Sequence, residues 1–269
     1  MPELPEVETI RRNLRSSPLM GRTILGVDLR WPRTLAEPGP LQFADRIIGQ
    51  TFVDIGRRGK FLVFTLSGDF LLVHLRMSGD LFLEPAGDPP ASHHRLILLL
   101  DEGLRLAFND TRKFGRVWLV SDPQTVFKNL GPEPLDPGFT PELLYQRLQS
   151  ARRQLKPLLM DQTFLAGLGN IYTDEALHLA KLHPLMPSQR VTFTQAKRLW
   201  EAIRKALEEG IYRQGASIDW VYRGGDFQNY LRAYGRAGLP CPVCGEPIVR
   251  LVVGQRGTHI CPVCQTLQE

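Results

Sequence analysis

The 269-residue sequence predicts an α+β protein in three parts: an N-terminal helix leading into an antiparallel β-sandwich, a helical region, and a four-cysteine ribbon at the C-terminus. Three observations carry that prediction. Short aliphatic runs broken by Gly, Asp and Pro fill the first half. Helical periodicities replace them after a stretch dense in Pro and Gly. The four cysteines, Cys241, Cys244, Cys261 and Cys264, all lie beyond residue 240.

The first element is a helix from Pro5 to about Ser16. Val7, Ile10 and Leu14 recur at helical spacing, with Arg11, Arg12 and Arg15 off that stripe. The segments "TILGVDLRW", "QTFVDIGRR", "KFLVFTL", "FLLVHLR", "RLILLL", "LRLAFND" and "GRVWLV" follow and read as strands. Many short strands without alternating long helices favour an antiparallel sandwich or barrel, here ending near Val120. "NLGPEPLDPGFTP" is a linker or hinge. Helices come next: "PELLYQRLQS", "RRQLKPLLMDQ", "NIYTDEALHLAKL", and a long one from about Phe193 to Arg213. That last helix gathers Ala196, Leu199, Trp200, Ile203, Ala206 and Leu207 on one face, and Thr192 with Gln195 serves as its capping box. The expected divisions are 1–130 for the sandwich, 131–150 for the linker and first helical residues, 151–233 for the helical domain and 234–269 for the ribbon.

Composition excludes several classes. Hydrophobic residues at 43% and charged residues at 23% describe an ordered globular chain. No apolar run reaches the length of a membrane span, and the acidic start lacks the pattern of a signal peptide. The expectation is a cytoplasmic protein with no membrane partner. With 33 Lys and Arg against 28 Asp and Glu, the net charge of +5 suits a polyanionic partner without requiring one.

The tail "CPVCGEPIVRLVVGQRGTHICPVC" holds two Cys-x-x-Cys knuckles with sixteen residues between them. That spacing suits a β-hairpin holding one tetrahedral Zn²⁺ through four thiolates. Four ligands leave no open position, so the ion is structural. Arg256 falls at the hairpin tip, as a solvated turn residue or a phosphate clamp. In "LAGLGNIYTDEAL", Gly167 and Gly169 precede Asn170 at a helix start, where unpaired N–H groups and the dipole favour an anion. An ordinary glycine turn is the other reading.

Four further stretches invite chemistry. Lys60 in "GRRGKFL" lies between turn glycines and a strand, as a surface charge or a functional cation. Met77 in "HLRMSG" sits at a turn, and Arg112 and Phe114 share the turn of "NDTRKFGR". A cation and a ring at a loop tip can stack on bases, each contact worth roughly 1–3 kcal/mol; burial in the core is the rival for Met77 and Phe114. The chain opens "MPELPEVE", with Glu3, Glu6 and Glu8 around Pro5. An acidic first turn complements a helix dipole, and that alone accounts for it. Loss of Met1, however, leaves Pro2 with a free secondary amine.

Taken together, "PELPEVET", "RRGKFL", "HLRMSG", "DTRKFG", "LGPEPL", "DQTFLAGLGNIYTDEAL" and the four-cysteine ribbon resemble the formamidopyrimidine-DNA glycosylases, within the group that includes the endonuclease VIII-like enzymes. The likeness runs the length of the chain. It implies a helix–two-turn–helix domain between the sandwich and a zinc ribbon, with double-stranded DNA carrying an oxidised base or abasic site as partner, bound by a monomer associated with the bacterial nucleoid. It implies excision of 8-oxoguanine and formamidopyrimidines and cleavage at the abasic site. By position, Pro2 matches the nucleophile, Glu3 the acid/base carboxylate, and Glu6 a further active-site carboxylate. Lys60, Asn170 and Arg256 match phosphate-binding residues, and Met77, Arg112 and Phe114 match the wedge that fills the vacated stack. The lesion-capping loop falls at about 215–228.

Two departures stand out. Thr111 occupies a position where the family usually has proline, and "GASIDWVYRGGDFQNY" is shorter than the usual lesion-loop segment. Two alternatives share the scaffold: an endonuclease VIII-like glycosylase for oxidised pyrimidines, and a damaged-DNA binder without catalysis.

Overall fold

The computed structural model describes residues 2–218 and 224–267. They form two compact units, residues 1–128 with 216–225, and residues 129–215 with 226–269.

In the first unit α1 (Leu4–Ser16) buries the predicted stripe Val7, Ile10 and Leu14 and, beyond it, Leu4, while Arg11, Arg12 and Arg15 stay off it. After it come β1 (Ile24–Leu29), β2 (Leu35–Glu37), α2 (Pro40–Ile47), β3 (Phe52–Arg58), β4 (Phe61–Leu66), β5 (Phe70–His74), β6 (Gly79–Pro85), β7 (His94–Leu100), β8 (Leu104–Asp110), β9 (Arg116–Val120) and α3 (Gln124–Phe127). The strands build a four-stranded sheet ordered β1-β7-β8-β6 and a five-stranded sheet ordered β2-β9-β5-β4-β3. Their inner faces share one core with α1 and α2, in which Phe43, Phe52, Phe64 and Phe108 are fully buried. That is the expected sandwich, to which the structure adds α2, β6 and β2, none of them among the segments read from the sequence; β2 runs parallel to β9. It is a three-residue edge strand entered from a short 3₁₀ turn, so no hairpin imposes an antiparallel partner on it.

The second unit holds α4 (Pro141–Ser150), α5 (Leu155–Leu159), α6 (Asn170–Ala180), α7 (Phe193–Tyr212) and the hairpin β10 (Val249–Val253) and β11 (Arg256–Ile260). Thr192 and Gln195 cap α7 reciprocally, the Gln195 N–H donating to Thr192 Oγ1 at 3.3 Å. The expected apolar face of α7 is buried apart from Trp200, which is only half-buried and donates Nε1–H to the Phe139 carbonyl at 2.6 Å. Helices α6 and α7 pack closely because Gly210 has no side chain: a Cβ there would collide with the Tyr172 ring. α5 is far shorter than "RRQLKPLLMDQ" suggests, since an irregular segment runs from residue 160 to Gly169, the residue before α6. Among the described residues, no helix is long and apolar enough to cross a membrane.

Candidate active site and metal centre

Pro2 and Glu3 lead directly into α1, and both are buried. Glu3 is the N-cap, only 2% exposed. Glu6, one turn on, spends its two oxygens on different segments. Oε2 accepts the Glu3 N–H at 2.8 Å, and Oε1 accepts the Ala216 N–H at 2.8 Å. The same carboxylate thus fixes the backbone beside Pro2 and the first residues of segment 216–225. Ser217 closes that segment by donating to the Gly225 carbonyl at 2.7 Å and accepting the Gly225 N–H at 3.1 Å. Residues 219–223, the middle of the expected lesion loop, lie outside the described residues.

Glu8 gathers Arg11, Arg12 and Arg57 around one carboxylate. Burial by itself would raise its pKa; hydrogen bonds from Arg11 and Arg12 and the charges of Arg11 and Arg57 outweigh it and hold Glu8 below the usual carboxylate range. Lys60 stands in the two-residue turn between β3 and β4, the strands on which α1 packs, and is 4% exposed. It is therefore no surface charge. Its field, after burial and the charge of Arg76, helps push the His74 imidazole down to about 3.

Met77 lies half-buried in the turn after β5, while Arg112 and Phe114 project from the turn between β8 and β9. The Arg112 guanidinium stands 5.2 Å from the centre of the Phe114 ring, and that ring is 48% exposed. Phe114 is not core. The two turns meet through the Ser78 hydroxyl, which donates to the Asp110 carboxylate.

Asn170 is the first residue of α6, with Gly169 as N-cap. Its Nδ2 donates to the Gly257 carbonyl at 3.1 Å, and its Oδ1 is buried with no hydrogen-bond partner among the described residues. The same carbonyl accepts from Lys156 Nζ at 3.1 Å, and Lys156 also donates to Asp174 at 2.6 Å. Asp174 in turn accepts the His259 N–H at 2.9 Å. Arg256 opens β11 directly after the hairpin turn, exposed, next to the pinned Gly257. Positive φ at Gly254 and Gln255 is what a two-residue primed turn requires. Asn170 and Arg256 are thereby brought together, 86 positions apart in sequence.

The four cysteine sulfurs lie within 4.8 Å of one another, with Cys244–Cys261 at 3.4 Å and Cys264–Cys244 at 3.6 Å. Disulfides need about 2.05 Å, whereas a tetrahedron with Zn–S near 2.3 Å has edges of about 3.8 Å. Burial and the neighbouring sulfurs push the Cys264 thiol up to about 12, whereas against burial the Val243 and Cys244 N–H groups help hold Cys241 below its ordinary value. A cation among the four sulfurs favours their thiolate form. The Val243 and Cys264 N–H groups and the His178 ring point at these sulfurs. The donor set fits one closed zinc site.

Comparison with known proteins bears on the fold and the family. Residues 1–117 match the formamidopyrimidine-DNA glycosylase N-terminal domain, 130–221 the formamidopyrimidine-DNA glycosylase H2TH domain, and 238–267 the zinc finger found in FPG and IleRS. The formamidopyrimidine-DNA glycosylase of Chloroflexus aurantiacus is 47% identical over 278 residues, covering 100% of this chain and 99% of its own. This chain belongs to the formamidopyrimidine-DNA glycosylase family. The Lactococcus lactis member, in a crystal structure with DNA containing N7-benzyl-Fapy-dG, superposes with a TM-score of 0.93 at 38% identity, over 99% of this chain and 100% of that one. A complex of the Lactococcus lactis protein with abasic-site DNA gives 0.93 at 37%, with the same coverage. In the family's zinc finger the four cysteines here hold one structural zinc.

Sequence reasoning passed over several residues that the geometry brings forward. Asp110 and Ser78 lie inside quoted motifs, yet their polarity reads as ordinary turn chemistry. Lys156 in "QLKPLL" carried a signal: a single charge set among apolar residues in a helix, which demands a buried partner. Asp174, beside Glu175 in "NIYTDEAL", carried none.

Proposed function

We propose that the protein is a bifunctional DNA glycosylase and abasic-site lyase of base excision repair, acting in the cytoplasm on double-stranded DNA that contains oxidised purines. The full-length membership of the family supports the activity class. The head of α1 carries the assignment of chemistry: a proline at position 2, then an N-cap glutamate almost fully buried.

An α-amine titrates near 8, roughly two units below lysine, so after removal of Met1 a useful fraction of Pro2 is neutral and nucleophilic at pH 7. Its nitrogen attacks C1′ of the extruded nucleotide while the C1′–base bond breaks, and the proton shed by the amine leaves with the departing base. Opening of the sugar ring, with Glu3 donating a proton to the ring oxygen, leaves a cationic iminium on Pro2. The iminium draws electrons from C2′. Loss of the C2′ proton expels the 3′ phosphate, and a second elimination expels the 5′ phosphate. Glu6 holds the Glu3 backbone in place. Lys60, Asn170 and Arg256 take phosphates, and Met77, Arg112 and Phe114 fill the space left by the extruded nucleotide, which costs a few kcal/mol to unstack.

The test is a duplex panel. Base release from 8-oxoguanine opposite cytosine, with phosphates left on both sides of the gap, is the expected result. Turnover confined to thymine glycol duplexes would move the assignment to oxidised pyrimidines. Tight binding without release from either would make the protein a binder.

A further inference from the structure

The turns that present Met77 and Arg112–Phe114 each contain a non-glycine residue in the left-handed region, Arg76 at φ 55° and Lys113 at φ 62°. Such backbone persists only where its surroundings leave no alternative. One buried carboxylate supplies that constraint to both. Asp110, the last residue of β8 and 1% exposed, accepts the Ser78 hydroxyl and the Arg112 N–H on Oδ1, the latter at 3.2 Å, and the Gly115 N–H on Oδ2 at 2.7 Å. Ser78 Oγ accepts the Arg112 N–H as well, at 3.0 Å.

The base of this arrangement is itself fixed. Asp110 pairs with Gly79 in the β6–β8 ladder, and its carbonyl accepts Arg95 Nε–H at 2.7 Å. His74 Nδ1 accepts the Arg76 N–H at 3.0 Å, and the Gly79 N–H returns to the Leu75 carbonyl at 2.9 Å. Gly115 has no room for a Cβ, which would strike Phe108 and stand 3.1 Å from Asp110 Oδ2. What projects from this framework is exposed: Arg112 and Phe114, with Met77 half out.

We infer that Asp110, acting through Ser78, is the positioning residue of the wedge: it locks two turns 34 positions apart into one preset body, so that Met77, Arg112 and Phe114 enter the duplex together. The inference rests on the wedge reading given above. It also explains how the second turn tolerates Thr111: the carboxylate holds by hydrogen bonds what a proline ring would hold by its fixed φ. A wedge ordered in advance loses little freedom on insertion. Neither Asp110 nor Ser78 touches DNA in this account.

The experiment compares Asp110→Asn, Ser78→Ala and Met77→Ala under single-turnover conditions. One substrate is an 8-oxoguanine:cytosine duplex, and the other is a single-stranded oligonucleotide with a preformed abasic site, which needs no wedge. An asparagine at 110 opposes its Nδ2 donor to the Gly115 N–H; Ser78→Ala removes only the link between turns. The expected result for both is a loss of ~10- to ~100-fold on the duplex, the scale of a small misplacement, with single-strand cleavage changed by less than twofold. Ser78→Ala added to Met77→Ala should cost less than it does alone. The inference is overturned if Met77→Ala slows duplex excision while Ser78→Ala and Asp110→Asn do not, or if both substrates decline in parallel. If Met77→Ala itself leaves duplex excision intact, the wedge reading is what fails.

Discussion

At the head of α1, most of the side-chain contacts join near neighbours in the chain, with Glu6 to Ala216 and Glu8 to Arg57 as the long-range exceptions. Glu6 reaches back three residues to the Glu3 N–H, and Glu8 takes Arg11 and Arg12 at helical spacing. Beneath the hairpin β10–β11 the reverse holds. Lys156 finds Asp174 at a separation of 18 residues and the Gly257 carbonyl at 101, and both side chains of that ion pair are fully buried. The first arrangement is set largely by one helix start, which carries the proposed nucleophile and acid at Pro2 and Glu3. The second is a tertiary cross-link, and its failure releases the hairpin that carries Arg256. Substitutions in the first region should therefore remove chemistry, and those in the second should remove structure and binding.

The largest structural effect belongs to the metal. Cys261→Ser should release zinc, whose binding supplies ~10 kcal/mol or more in small zinc domains. Loss of the ordered Arg256 hairpin should weaken duplex affinity about 10-fold or more, the worth of one charge-assisted contact. Zinc release by a metallochromic dye and a binding titration check this, and unchanged affinity would cut the link between ribbon and DNA.

Lys156→Met comes next. It strands Asp174 without its cation in a site closed to water, at a cost of about 3–5 kcal/mol, read by denaturant unfolding. The partial compensation from the His259 N–H is too small to rescue it. A loss below 1 kcal/mol would erase the contrast between the two regions.

A pH series sharpens the comparison within the first unit. Burial, then the charges of Arg76 and Lys60, hold His74 near a pKa of about 3, whereas an unfolded imidazole titrates near 6.5. The unfolded chain therefore takes up a proton that the folded one refuses. Stability from this group is complete above about 6.5 and declines as pH falls toward about 3. Between pH 7 and 5 the parent should lose about 2 kcal/mol more than His74→Gln does. Equal slopes would contradict a neutral, buried imidazole.

Glu6→Gln is the smallest perturbation. One of two backbone donors, at Glu3 or Ala216, is left facing an amide, a cost of about 1–3 kcal/mol. Its mark should be slower lesion processing beside a modest stability change, since the same carboxylate steadies the backbone next to Pro2.

The regions also differ in how far the sequence discloses them. The seven quoted strand segments and the cysteine knuckles are contiguous patterns, and contiguity is what periodicity and spacing report; Pro2, Glu3 and Glu6 stand out only through the resemblance to the family. β6 was not readable because Gly79 and Pro85 bound a run whose alternation is weak. α2 escaped although Phe43 and Ile47 stand one turn apart behind Gly39 and Pro40, because eight residues give a periodicity too little length. The ion pair Lys156–Asp174 and the Ser78–Asp110 link depend on chain segments meeting after folding. No local pattern encodes them. Only Lys156, a charge among apolar neighbours, hints that a partner exists.

The central claim is that the amine of Pro2 is the nucleophile. Borohydride trapping on an 8-oxoguanine:cytosine duplex, with the cross-linked peptide sequenced by mass spectrometry, tests it directly. The expected result is a covalent adduct on Pro2 and its loss in Pro2→Gly, with cleavage reduced on the order of 10³-fold or more while damaged-duplex binding survives. An adduct on Lys60 or any other amine, or none from protein whose mature terminus is confirmed as Pro2, would contradict it.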